Sequence, residues 1–316
     1  MTQATATRKA TAPTRGRFAP SPTGPLHFGS LVTAVASFLE ARRQGGLWEL
    51  RIEDIDPPRE VPGAGDRILR ALEAFGLHWD GPVVYQSDHL DAYQAALEQL
   101  TGDGHLYPCA CTRREIRERA SYGPDGPIYP GTCRNGLPEG RTGRSLRVLT
   151  RASHIHFADQ LQGQQAHDLE RDMGDFVVRR ADGYYAYHLA AAVDDGDERI
   201  SHVVRGIDLL RSTPRQIHLM QLLGLQSPEY AHIPVIVNAQ GQKLSKQTGA
   251  AVVDPDRPGP ALHRALRALA QAPPASLAGA GVAELLAWAR EHWNPDALAN
   301  RAVVPERKTD EPMPGA

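Results

Sequence analysis

Arg17-Phe18-Ala19-Pro20-Ser21-Pro22-Thr23-Gly24, running into His27-Phe28-Gly29-Ser30, is the stretch that decides the fold. A short apolar piece, a Pro/Gly turn and a His-x-Gly-Ser open directly onto the apolar run Leu31 to Ala41. A strand–turn–helix junction of this kind aims backbone N–H groups and the positive end of a helix at one point, which suits a phosphate. Gly29 lets a nucleotide approach the backbone with no Cβ in the way. Far downstream, Lys243-Leu244-Ser245-Lys246 follows a Gln240-Gly241 turn. Two lysines on a loop can neutralise phosphate as mobile point charges. Singly, the first segment reads as a capped helix and the second as a solvated lysine pair. In this order they predict a nucleotide site with a fixed floor and a closing lid.

Outward from that junction the chain alternates between strand and helix. Arg17–Ala19 and Leu47–Ile52 read as strands, and Leu31–Arg43, Asp66–Phe75 and Asp88–Leu100 as helices. Leu90, Tyr93, Leu97 and Leu100 give the last of these its apolar face, and Asp66 and Asp88 stand where N-caps would. After a change of character over 105–174, with a Gly/Pro-rich loop from Tyr122 to Gly140 and a strand-like Ser145–Leu149, the alternation resumes. It gives a hairpin turning at Ala181-Asp182-Gly183, a helix near His188–Val193, a strand Ser201–Arg205, a helix Thr213–Leu223 and a strand His232–Val237. The expectation is an α/β, doubly wound parallel sheet of Rossmann type. It would be built from 15–104 and 175–250, with an insertion at 105–174, a short helical region at 251–303, and disordered tails at 1–14 and 304–316.

With 316 residues, 41% of them hydrophobic, the chain can bury one large core and a smaller one. Thirty-five basic against 37 acidic residues exclude a strongly basic nucleic-acid coat, though not a local basic patch. The first fifteen residues lack the apolar centre of a signal peptide, and no apolar stretch approaches a membrane span. A cytoplasmic protein with no membrane association is expected. All three cysteines cluster, as Cys109-Ala110-Cys111 and Cys133. Two thiolates one residue apart with a third beyond a loop leave one position open on a tetrahedral zinc, for which Tyr129 and His105 are both candidates. Spacing alone leaves three reduced thiols equally open.

Arg51-Ile52-Glu53-Asp54-Ile55-Asp56 ends a strand with three carboxylates, at the edge where open α/β sheets bind ligands. One carboxylate could hold a substrate ammonium and another could act on ribose or a metal. A solvated acidic loop is the plainer reading. Arg205 also ends a strand and can pair a carboxylate through its planar fork. Tyr187 offers a hydroxyl beside the same crevice. If Arg17, Arg205 and Tyr187 converge, the guest carries a carboxylate. The run Arg113, Arg114, Arg117, Arg119, interleaved with Glu115 and Glu118, reads as a solvated helix face rather than an RNA groove.

Six segments in order, Arg17–Ser30, Arg51–Arg59, Tyr187–Asp195, Val204–Asp208, Ser212–Gln216 and Lys243–Lys246, resemble the catalytic domain of class I glutamyl-tRNA synthetases. The resemblance spans roughly 15–250. The shortness of the chain points to the branch that lacks the anticodon-binding domain and modifies queuosine in tRNA(Asp). That branch's zinc pattern favours Cys109, Cys111, Tyr129 and Cys133 over a set containing His105, with one Zn²⁺ per chain. The resemblance implies that His27, Gly29 and Ser30 hold ATP phosphates and that Lys243 and Lys246 form the lid, so that His27, Lys243 and Lys246 carry catalysis. It places glutamate on Arg17, Phe18, Ala19, Pro20, Ser21, Glu53, Tyr187 and Arg205. Glu53 would take the ammonium, and Arg17 and Arg205 the side-chain carboxylate. The implied partners are ATP with Mg²⁺, L-glutamate and queuosine-containing tRNA(Asp), acted on by a monomer. Ser30 replaces the last histidine of the first motif, and Ala191 stands where many relatives carry Asn. Rivals are ordinary charging of tRNA 3′ ends, a glutaminyl enzyme, a small nucleotidyltransferase and an idle RNA-binding paralogue. Two arginines suit a carboxylate better than an amide, which counts against the glutaminyl enzyme.

Overall fold

The computed structural model describes residues 13–238 and 252–305. Lys243 and Lys246, the residues before 13 and those after 305 lie outside the described residues. The first half comprises β1 (Arg15–Phe18), α1 (Phe28–Arg43), β2 (Leu47–Ile52), α2 (Ala64–Ala74), β3 (Val84–Tyr85) and α3 (Leu90–Gly102). Helix α1 starts three residues before the expected Leu31 because His27 caps it: the ring Nδ1 accepts the Ser30 N–H at 3.2 Å. Asp66 and Asp88 are not caps. Helix α2 opens behind Gly63, whose φ of 70° a side chain would resist, and Asp66 sits within its first turn. Asp88 lies in a 3₁₀ turn ahead of α3, and Leu90 is exposed, outside the apolar face that Tyr93, Leu97 and Leu100 form.

A middle set of short elements follows: β4 (Leu106–Cys109), α4 (Arg113–Arg119), β5 (Ser121–Gly123), β6 (Gly126–Ile128), β7 (Ser145–Val148), β8 (His154–Asp159), β9 (Gly163–Asp168) and α5 (Leu169–Asp172). The second half is β10 (Phe176–Arg179), α6 (Tyr187–Asp197), β11 (His202–Gly206), α7 (Thr213–Leu223), β12 (Glu229–Ile233) and β13 (Val235–Val237). Beyond 252 come α8 (Pro258–Ala268), α9 (Val282–His292) and β14 (Val303–Pro305). Pro234 divides the expected strand His232–Val237 in two, since it cannot donate to a ladder and the halves join different sheets.

The main sheet has the order β3-β2-β1-β11-β12-β8-β9, parallel from β3 to β8, with β9 antiparallel at the edge. Both faces are covered, as a parallel sheet requires. Val204 of β11 joins the core that contains α1, whereas its neighbour Val203 joins the core on the α7 side. The segment 105–174 does not close on itself. Its β8 and β9 extend the main sheet, and β7 pairs with β10 across residue 174 in the small sheet β10-β7-β4. From β1 the chain winds first towards β2 and later returns to β11 on β1's other side. The carboxyl ends of β1 and β11 therefore flank a topological switch point, where a crevice must open.

Residues past 252 are part of the main core. Leu262, Leu266, Leu285 and Trp293 pack with α1, and the Trp293 indole N–H donates to Glu40 of α1 at 2.9 Å. Val304, expected in a polar tail, is buried where β14 runs parallel to β13.

Candidate active site

A cleft of about 770 Å³ opens at the switch point. Arg17, Phe18, Ala19, Pro20 and Ser21 line it from β1 and the turn, His27, Gly29 and Ser30 from the start of α1. Glu53, Tyr187 and Arg205 complete the wall, so every expected amino-acid and nucleotide residue among those described faces one hollow. Gly24 has φ 140°, a backbone that only glycine adopts without strain, and it turns the chain from β1 into α1. The Pro20 carbonyl accepts the Glu53 N–H at 3.0 Å and locks the turn to the end of β2. His27 also meets the Ser30 hydroxyl through Nε2 at 2.9 Å, which fixes the ring at the helix N-terminus. Val253 donates to the Leu26 carbonyl at 3.1 Å, so the chain on the far side of the lysine segment returns to the foot of this helix.

The carboxylate cluster separates into one free group and two structural ones. Asp54 accepts from the Ser87 N–H at 2.9 Å and its hydroxyl at 2.7 Å. Asp56 is paired with Arg59 and with Arg180. Only Glu53 faces the cleft, and burial pushes its carboxyl up to about 7 against the opposing pull of Arg51 and Arg17. A ribose or metal role for Asp54 or Asp56 is therefore set aside.

Beneath Glu53 lies a charge network that sequence reasoning did not resolve. Arg17 grips Asp195 with two bonds, at 3.1 and 3.0 Å, and Arg51 reaches the same carboxylate at 2.7 Å and Glu198 at 2.8 Å. Burial would raise the Asp195 carboxyl, but the two guanidinium groups hold it well below the usual range. Asp194, its neighbour, accepts from the Gln86 amide at 2.7 Å and the Tyr93 hydroxyl at 2.8 Å. The repeated acid at the end of Tyr187–Asp195 was the available signal, because two adjacent carboxylates on a buried helix need two sets of donors.

Arg205 is held differently. Its Nε donates to His232 Nε2 at 3.0 Å, and Nη2 to Thr213 Oγ1 and Gln216 Oε1, each at 2.8 Å. Burial keeps His232 neutral, lowering it to about 4. Since Nε2 accepts from Arg205, Nδ1 carries the proton and donates to Asp159, 2.5 Å away. The remaining Arg205 nitrogen, Nη1, is buried with no hydrogen-bond partner among the described residues. A buried cation with an unmet donor on a cleft wall is arranged for an anion. A Cβ at Gly206 would come within 2.4 Å of the Asp208 carboxylate, so a side chain there would push that carboxylate aside. Thr213 and Gln216 lie in a segment already singled out. Asp159 and His232 carried no local signal, because only the β8–β12 pairing brings them together.

Away from the cleft, the three cysteines and Tyr129 converge. Cys111 and Cys133 Sγ atoms are 3.6 Å apart, and the Tyr129 hydroxyl lies 3.3 Å from Cys109 Sγ and 3.6 Å from Cys111 Sγ. Thiolates bound to one tetrahedral zinc at about 2.3 Å would stand roughly 3.8 Å apart, so this donor set fits the ion. His105 is not part of the group; the histidine and acidic side chains described add no fourth member to it.

Comparison with known proteins agrees with this architecture. The family "tRNA synthetases class I (E and Q), catalytic domain" matches residues 13–257. The chain is 55% identical over 294 residues to a glutamyl-Q tRNA(Asp) synthetase of Dechloromonas aromatica, covering 92% of this chain and 98% of that one. A glutamyl-Q tRNA(Asp) synthetase of Geobacter sulfurreducens is 52% identical over 299 residues, covering 92% and 95% respectively. Among solved structures, the glutamate-tRNA synthetase of Elizabethkingia anophelis superposes with a TM-score of 0.73 at 27% identity, over 93% of this chain and 68% of that one.

Proposed function

The chain belongs to the class I (E and Q) tRNA synthetases, and from that premise we propose that it activates L-glutamate with ATP and passes the glutamyl group to queuosine in tRNA(Asp). The observation that carries the amino-acid half is the unmet Nη1 donor of Arg205, set across one cleft from the unpaired Glu53 carboxylate. An anion site and a cation site in one hollow suit an amino acid with an acidic side chain. Arg205 receives the side-chain carboxylate and Glu53 the α-ammonium. Arg17, with two donors committed to Asp195, braces the cleft floor from below. The queuosine half rests on the relatives, which are 48–55% identical across most of this chain and bear that name.

In this reading the glutamate α-carboxylate attacks the α-phosphate of ATP, forming a C–O–P bond and expelling pyrophosphate. Both reactants are anionic, so the protein's work is to align them and supply positive charge. The start of α1, with His27 and Ser30, meets the phosphates, and Lys243 and Lys246 close over them. Mg²⁺ arrives with ATP and neutralises part of its phosphate charge. A ring hydroxyl of queuosine then attacks the activated carbonyl and AMP leaves. Cys109, Cys111, Cys133 and Tyr129 would hold Zn²⁺ with all four positions filled, a structural site with no opening for water. Metal analysis of protein purified without chelator should return about one zinc per chain.

Radiolabelled glutamate offered with total tRNA from cells with and without queuosine tests the whole reading. Label confined to the queuosine-containing pool is the expected result. Equal label on both would mean ordinary 3′-end charging, and no label would leave the transfer step without support.

A further inference from the structure

A second hollow, about 670 Å³, lies on the other side of the wall formed by the starts of α6 and α7. Tyr187 faces the catalytic cleft while His188, the next residue, faces this one. Arg113, Arg117, Arg147 and Arg215 line it. We propose that this cavity is a phosphate site for the tRNA strand that delivers the reacting nucleotide. The inference rests on tRNA being the acceptor.

The charge balance is the first argument. The cavity's two acids, Asp125 and Asp175, are already engaged. Asp125 serves Arg211 at 2.6 Å and Arg215 at 3.2 Å, and Asp175 accepts two hydrogen bonds from Arg134, at 2.8 and 2.9 Å. Arg113 and Arg117 stand one helical turn apart on α4 and form no ion pair among the described residues, whereas Arg114 on the same helix is set against Glu118. The arginine run that reads in sequence as a solvated face is therefore split in two, and one half looks into a hollow. The second argument is unmet donors. Arg147 is 8% exposed, its Nε is buried with no hydrogen-bond partner among the described residues, and its guanidinium lies 3.8 Å over the Tyr129 ring. The His188 Nδ1 is likewise buried and unpartnered among the described residues. Guanidinium forks match phosphate oxygens in geometry as well as charge. Ile116 and Phe176 give the cavity an apolar surface on which a sugar can rest. Because Tyr129 belongs to both the cysteine cluster and this wall, the zinc-type site would brace the RNA-binding surface.

Full-length protein carrying Arg113→Gln with Arg117→Gln tests the proposal, with Arg114→Gln plus Arg119→Gln as a control that removes the same charge outside the cavity. Binding of queuosine-containing tRNA(Asp) is read by fluorescence anisotropy across a salt series. The cavity pair should weaken Kd at least tenfold and flatten the log–log salt dependence by roughly one to two, the loss of one or two phosphate contacts. The control pair should change Kd less than twofold. Equal Kd in the cavity pair and the unaltered chain, equal losses in both pairs, or no binding by the unaltered chain would overturn it. So would loss of affinity for inorganic phosphate with tRNA binding intact, which would mark a free-anion site. Glutamate-dependent pyrophosphate exchange without RNA, measured separately on the unaltered chain, tests the activation chemistry and is independent of this outcome.

Discussion

Two buried arginines, on neighbouring strands that line one cleft, show what distinguishes support from recognition. Arg17 is neutralised: Asp195 takes two of its donors and Arg51 shares the same carboxylate. Arg205 is surrounded by uncharged partners, His232, Thr213 and Gln216, and one nitrogen is left unmet. The first arrangement is complete without a ligand. The second holds a charge in a fixed direction without cancelling it, which is what a site for a carboxylate needs. Equal burial and equal residue type thus conceal opposite roles, and the partners decide between them.

The largest expected effect comes from removing the uncancelled charge. Arg205→Gln should lower kcat/KM for glutamate in pyrophosphate exchange by about 10²–10³, from loss of a charged pair worth about 3–4 kcal/mol, while the melting temperature changes little. A variant with near-normal exchange would erase the contrast. Asp195→Asn should do the reverse, leaving Arg17 and Arg51 short of counter-charge in the core. Denaturant unfolding should show a loss of about 3–5 kcal/mol. If stability holds and only activity falls, Arg17 is a recognition residue after all.

Smaller changes sharpen the comparison. Asp159→Asn removes the acceptor that orients His232 and, through it, Arg205. KM for glutamate should rise about tenfold with kcat nearly kept, since a weakened positioning bond is worth about 1.5 kcal/mol. A fall in kcat at unchanged KM would contradict a positioning role. Glu53 gives the mildest effect, read in pH. Its carboxyl is raised to about 7 by burial, so below that pH it is protonated and cannot pair with an ammonium. The kcat/KM for glutamate should therefore fall towards tenfold per unit below about pH 7 and level off above it. Glu53→Gln should lower the plateau and remove the inflection; an unchanged inflection would assign it elsewhere.

Much of this was readable in the chain, and the failures have causes. Leu47–Ile52 and Thr213–Leu223 have the limits expected of them, because each is bounded by turn or capping residues and has an apolar pattern with one period. Glu53, Tyr187, Arg17 and Arg205 were visible as strand-end and helix-start groups. Their partners were not: Asp195 faces Arg17 from 178 positions away, and Asp159 meets His232 from 73. Spacing along a chain carries no information about such pairs. The caps at Asp66 and Asp88 failed because glycine geometry and a 3₁₀ turn set those helix starts instead. The arginine run on α4 is the solvated face it reads as, with Arg113, Arg114, Arg117 and Arg119 all exposed; spacing could not show that two of them also border a hollow.

The packing of α8 and α9 on α1 also governs how the chain is made. During synthesis α1 emerges early, with an apolar surface that Leu262, Leu266 and Leu285 later cover. At roughly 5–20 residues per second, that surface waits on the order of ten seconds or more for its partners. The nascent protein therefore cannot finish its nucleotide-binding half in order of synthesis, and α8 and α9 must leave the ribosome before the first helix is protected. A stalled or truncated translation product would expose that helix, which makes it a natural target for chaperones and proteases.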